Sequence, residues 1–155
     1  MKIADVIGTL KTFLEGLTWT SGDGGGTSGF EAVFTVENYT HDAGYPYVFI
    51  MDTALGGESL DNCTHEAETE VVVSVCVNWS VVDGQDDDAK REEAALRIRE
   101  ASDVLKEQLF TDSLRSTLGI DFVYNPNYGE IELLEEFNVY KRDFIMTIKE
   151  QIARK

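Results

Sequence analysis

Four groups of residues in this 155-residue chain have types and spacings that could do chemistry. Gly24-Gly25-Gly26-Thr27-Ser28-Gly29 satisfies G-x-G-x-x-G, a pattern in which glycines let backbone amides at a helix N-terminus approach a pyrophosphate. That mechanism needs a strand before the glycines and a helix after them. Here the hydrophobic periods read helix before and strand after, and no Gly-Lys-Ser/Thr follows, so Gly22 to Gly29 is expected to be a loop or linker. Cys63, His65, Cys76 and His41 carry zinc-type donor atoms, but none forms the C-x-x-C or H-x-x-x-H pair that sets two ligands on one turn. Asp83, Asp86, Asp87 and Asp88 lack the D-x-D-x-D-G spacing and the later bidentate Glu of a calcium loop. Glu66, Glu68 and Glu70 alternate, which on a strand places three carboxylates on one face.

None of these groups makes a catalytic constellation. The two histidines fall in expected loops, and no G-x-S-x-G nucleophile turn is present. The acidic-x-Lys element of metal-dependent nucleases appears once, as Asp88-Ala89-Lys90, at a helix start instead of after a strand. No enzyme activity, cofactor or metal is expected. The alternative from another class is a small metal-dependent hydrolase using Glu66, Glu68 and Glu70 with the Asp83–Asp88 acids. A third reading is an acidic adaptor domain that binds a basic partner. Tyr124-Asn125-Pro126-Asn127-Tyr128-Gly129 is a turn-rich segment whose Tyr124 and Tyr128 offer rigid contact area at small entropic cost. With Glu66, Glu68, Glu70, Asp86, Asp87 and Asp88, these tyrosines are the candidates for an interface or for the lining of a lumen.

The elements that would position these residues follow from periodicity. Ile3, Val6, Ile7, Leu10, Leu14 and Leu17 fall on one face of an N-terminal helix. Phe30 to Glu37 alternates as a half-buried strand does, with Phe30, Ala32, Phe34 and Val36 inward. Tyr45 to Met51 is nearly all apolar and reads as a second strand, followed by a polar loop from Asp52 to Asn62. The strongest strand signal places Val71, Val73, Val75, Val77 and Trp79 on one face and Glu70, Val72, Ser74, Cys76 and Asn78 on the other. The period then switches. An acidic turn at 83–88 precedes a helix from about Asp88 to Phe110, its stripe Ala94, Ile98, Ala101, Leu105 and Leu109 inward and Arg97, Glu100 and Glu107 outward. Short strands are expected at Ile120–Tyr124, Ile131–Leu134 and Asn138–Lys149. The order is helix, three strands, long helix, two or three strands. It predicts an α+β domain over 1–155, with a mostly antiparallel sheet and the helices on one face.

Charge sets the partners. Twenty-nine acidic residues against thirteen basic leave a formal net charge of −16, a surface that repels phosphate and opposes specific nucleic-acid binding. Such acidity maintains solubility, keeps nucleic acid from sticking in a passage, or hydrates a surface in a high-salt host. No apolar run approaches the ~20 residues of a membrane-spanning helix, so no membrane contact is expected. Cys63 and Cys76 are too few for a disulfide framework and are expected to be reduced thiols.

The arrangement as a whole resembles the tail terminator and tail-completion (neck) proteins of long-tailed, siphovirus-like phages and related archaeal viruses. The features that carry the resemblance are a short N-terminal helix ending in Leu17-Thr18-Trp19 and a Tyr45-Pro46-Tyr47-Val48-Phe49-Ile50 strand. A long Val-rich strand, one long helix containing Ala94-Ala95-Leu96-Arg97-Ile98, and a closing Phe137-Asn138-Val139-Tyr140 … Phe144 strand complete it. The resemblance implies a homo-oligomeric ring, usually hexameric, at the head-proximal end of the tail tube. Such a ring stops tube polymerisation and joins the tube protein to the head–tail connector while genomic DNA passes unbound through the lumen. A connector or neck role in the same virion is the close alternative. It implies a product made in the host cytoplasm and located in the virion, with the Gly22–Gly29 and Asp52–Asn62 loops reaching neighbouring rings. The abundance of Asp and Glu over Lys also suits a halophilic host.

Overall fold

In a computed structural model, the described residues are 3–20, 26–42, 44–59, 64–109, 111–118, 121–124 and 129–153. The first helix, α1 (Ile3–Glu15), buries Val6, Leu10 and Leu14 completely, the i, i+4, i+8 stripe of an amphipathic helix. A two-stranded antiparallel hairpin follows, β1 (Thr18–Thr20) with β2 (Thr27–Gly29), which sets Trp19 opposite Ser28. Trp19 meets Phe30 edge to face at 5.1 Å, closing the hairpin against the core.

The main sheet comprises β3 (Val33–Phe34), β4 (Tyr47–Ser59), β5 (Thr64–Asn78), β6 (Asp121–Tyr124), β7 (Glu132–Leu134) and β8 (Val139–Ala153). Its order is β3-β4-β5-β8-β6, with β7 also paired to β8. Every ladder is antiparallel except β3 with β4. Between β5 and β6 lie α2 (Asp87–Gln108) and α3 (Asp112–Leu118). Asp86 caps α2, its carboxylate accepting from the Ala89 amide at 2.8 Å, and Asp87 and Asp88 occupy the first turn. Carboxylates here satisfy free amides and oppose the positive end of the helix dipole.

All three helices pack on one side of the sheet. Val48 and Ile50 of β4, Val71, Val73 and Val75 of β5, and Phe144, Met146 and Ile148 of β8 form one buried cluster. The same cluster takes Val6, Leu10 and Leu14 of α1, Ala101 and Leu105 of α2, and Leu114 and Leu118 of α3. A satellite cluster packs Ala94 and Ile98 of α2 on Val77, Trp79 and Val82. The α+β class, the antiparallel bias and the helical layer on one face therefore agree with the sequence reading.

Several local expectations do not. Within Phe30–Glu37 only Val33 and Phe34 join a ladder; Val33 is the buried residue and Val36 is 64% exposed. Bonds from Glu31 N–H to Pro46 and from Val48 N–H to Ala32 fix a parallel contact, so the facing pattern follows β4 and not local alternation. Part of the expected glycine loop is β2, because a backbone ladder with β1 needs no apolar side chains; residues 21–25 lie outside the described set. The expected polar loop from Asp52 is strand as far as Ser59. Its pairing with β5 continues through Glu58 and Ser59 after a bulge at Ala54/Gly56, held by backbone bonds that composition does not signal. By the same means β8 continues to Ala153. Helix α3 was not anticipated. Arg97 also faces inward: it donates to the Gly44 carbonyl, pairs with Glu93 at 3.2 Å and lies 4.6 Å over the Tyr45 ring. A Cβ at Gly44 would come within 3.0 Å of the Val81 carbonyl, so this clamp admits little but glycine.

Leu105→Ala should cost about 2–5 kcal/mol, since its buried side chain joins helix and sheet. Asp86→Ala should cost about 1 kcal/mol through the lost cap alone. Urea unfolding of both variants checks the ranking; equal losses would mean that the helix layer is not held by this packing.

Candidate assembly surface

Alternation along β4, β5 and β8 sends a second set of side chains to the face away from the helices. At one end this face is covered. Tyr47, Phe49, Cys76 and Val139 are buried there beneath Ala32, Phe34, Tyr39 and Leu134. The Tyr47 hydroxyl donates to the Asn38 carbonyl at 3.0 Å, and its ring meets Phe34 and His41 edge to face. Tyr39 packs edge-on to Phe49 and stacks on Phe137, both at 5.3 Å, while the Lys141 ammonium lies 5.9 Å from its centroid. Burial raises the pKa of the Tyr39 and Tyr47 phenols. It pushes the Cys76 thiol up to about 12, with Lys141 acting in the opposite sense. For Lys141 burial works against the ammonium, but Asp143 and Tyr39 outweigh it and its pKa ends raised.

A polar row closes this covered zone. Ser74, 1% exposed, donates to Asp143 at 2.6 Å, and Lys141 reaches the other carboxylate oxygen at 3.4 Å. A hydroxyl so buried and so committed holds the strands in place; it has no approach for a substrate. Beyond this row Met51, Val72 and Ile145 stand in register across the three strands. Met51 is 37% exposed, and Val72 and Ile145 are half-buried. The next row is Thr53, Glu70 and Thr147. Sequence reasoning missed the apolar row because its members are far apart in the chain and each alone reads as an ordinary strand residue. Knowing the register would have found it.

The predicted site residues divide. Glu66, Glu68 and Glu70 do form one column of β5, with Glu68 opposite Lys149 and Glu66 opposite Gln151 on β8. Asp86, Asp87 and Asp88 lie beyond the other end of that strand, so the two acid groups are separated by at least the run from Glu70 to Asn78, about 26 Å. These two acid groups are therefore not brought together among the described residues. His41 and Cys76 both flank Tyr47, whereas His65 stands eleven positions down β5 from Cys76, about 36 Å. Among the described residues no three His, Cys, Asp or Glu side chains gather as a metal site. Tyr124 ends β6 opposite Met146; Tyr128 and Cys63 lie outside the described residues. No described helix is long and apolar enough to cross a membrane.

The edges of the sheet complete the surface. Beyond Phe49, no described strand pairs with the outer side of β4. On the opposite side of the sheet, β6 covers β8 only from Met146 to Lys149, and no described strand pairs with the outer side of 150–153. Neither a protein-family model nor a curated protein sequence matches the chain.

The buried thiol makes alkaline pH destabilising. Below pH ~9 the thiol is protonated in both states; between about 9 and about 12 only the unfolded chain releases the proton, so stability falls as pH rises. The slope approaches about 1.4 kcal/mol per pH unit for this one group. Thermal melts of the wild type and Cys76→Ala from pH 8 to 11 should show a shallower decline in the variant. Parallel declines would mean that Cys76 ionises freely in the folded protein.

Proposed function

We propose that the chain is a structural virion subunit that assembles into a ring at the head-proximal end of a tail tube. There it terminates tube growth and joins tail to head connector, with DNA passing through the lumen. The observation that carries this reading is a sheet in which, among the described residues, no strand pairs with the outer side of β4 beyond Phe49 or of β8 over 150–153. An outer side left unpaired by the described strands from Ile50 to Ser59 of β4 invites another strand, and natural proteins ordinarily shield such edges. Edges on opposite sides favour head-to-tail contacts, which close into rings when the rotation per subunit divides a full turn.

The order of elements supports the reading, as does the acidity. A net charge of −16 per copy, multiplied around a ring, repels phosphate and lets a duplex slide without adhering. The open row Met51, Val72 and Ile145 supplies apolar area of the kind that contacts between subunits bury. A role as the adjoining connector or neck protein would use the same features.

Light scattering on the purified chain, with negative-stain microscopy, should show a closed ring, hexameric by the resemblance, forming alone or on addition of tail-tube protein. A monomer under both conditions would sink the proposal. Duplex DNA should show no retention by the ring at low salt. Hydrolysis dependent on Mg²⁺ or Mn²⁺ and lost in Glu68→Gln/Glu70→Gln would replace this reading with an enzymatic one.

A further inference from the structure

The covered half of the outward sheet face lies under a segment that is neither helix nor strand. Residues 35–42 leave β3 and are held to the sheet by side chains. Tyr39 contacts Phe49 and Phe137, and the Asn38 carbonyl accepts from the Tyr47 hydroxyl. His41, near the end of this strap, is half-buried, its ring 5.3 Å from Phe34 and 4.9 Å from Tyr47, edge to face with both. Its Nε2 is shielded from water and has no hydrogen-bond partner among the described residues.

We infer that His41 is a pH-sensitive latch: as pH falls from 7.5 to 5.5, a proton taken up by its imidazole lifts residues 35–42 from the sheet. A neutral imidazole carries one N–H, so with the proton on Nδ1 the shielded Nε2 is a bare lone pair. The imidazolium carries an N–H on both nitrogens, and the one at Nε2 would meet neither acceptor nor water. Ring contacts offset part of that cost, but water gives an imidazolium two full hydrogen bonds that the rings do not. In the lifted strap both nitrogens are solvated, and the imidazole takes its proton in the pH range where histidine responds. The closed form is therefore favoured while His41 is neutral, and that preference is lost as pH falls. The other titratable groups around the strap are Glu37, Tyr39 and Asp42 on its own segment, Tyr47 of β4, Cys76 of β5, and Lys141 and Asp143 of β8. Tyr39, Tyr47, Cys76 and Lys141 all have raised pKa values, so they keep their protons throughout this range. Glu37 and Asp42 are exposed, whereas Asp143 is bonded to Ser74 and Lys141 and is the carboxylate to be separated from His41. Lifting the strap bares Tyr47, Phe49 and Cys76 on the same face as Met51, Val72 and Ile145, within one copy and whether or not copies assemble.

Cys76, fully buried in the cluster beneath the strap, reports the opening. A Cys63→Ser background leaves it as the single thiol of the chain. Its rate with dithiodipyridine, which attacks thiols in acid as well as at neutral pH, is divided by the rate of the urea-unfolded chain at the same pH. Between pH 7.5 and 5.5 this protection should fall about tenfold with His41 present. It should stay nearly constant in His41→Phe, which keeps a ring and takes no proton; His41→Gln serves if the Phe variant does not fold. Circular dichroism melts at each pH confirm that the rest of the chain is folded. Equal protection at both pH values, or the same loss in the His41 variants, would overturn the latch. A loss abolished only by Asp143→Asn would pass the response to the Ser74, Asp143 and Lys141 set and overturn it as well. So would a loss that coincides with global unfolding in the melts.

Discussion

β5 is paired with β8 along its full length, from Ala153↔Thr64 to Val139↔Asn78, and with β4 from Ser59↔His65 to Tyr47↔Cys76. The two ladders place three long strands in one register, and every layer is set against them. Val71, Val73, Val75 and Val77 point to the helices, where branched side chains pack on the pleated surface and lose little freedom. A slip of one residue would turn that column toward the other face and expose it, so the apolar stripe and the register enforce one another.

The same register organises the outward face. It brings Ser74 beside Asp143 across β5 and β8, and their bond, with Lys141, marks where the covering segment ends. On one side of that line lie rings packed edge to face around Tyr47, with its hydroxyl satisfied by Asn38. On the other lie Met51, Val72 and Ile145, apolar and only partly covered, and then the Glu column. Half of this sheet face is thus buried by the chain itself, and the other half is only partly covered among the described residues.

The elements with strong side-chain periods were legible from residues alone. Val6, Leu10 and Leu14 of α1, Ala94, Ile98, Ala101 and Leu105 of α2, and Leu109 at its C-cap are all buried, as the 3.6-residue period requires. The acid turn before α2 was legible too, since a carboxylate before a helix has a specific partner in the free amides of its first turn. The misreadings share a cause. Val33 and Phe34, Thr27 to Gly29, and Asp52 to Ser59 are strands by virtue of backbone bonds to distant residues, and backbone atoms are the same whatever the side chains.

The candidate surface follows the same division. From the sequence alone came the alternating Glu66, Glu68 and Glu70, the net charge and the absence of a matching catalytic spacing. Those are properties of neighbours along the chain, and local geometry suffices to interpret them. Only the tertiary structure decided that Asp86 to Asp88 stand a strand length away from those glutamates, that Met51, Val72 and Ile145 form one row, and that β3 pairs with only two residues of β4. Each depends on strand order and register, which arise from hydrogen bonds between segments tens of residues apart and leave no mark in any one segment.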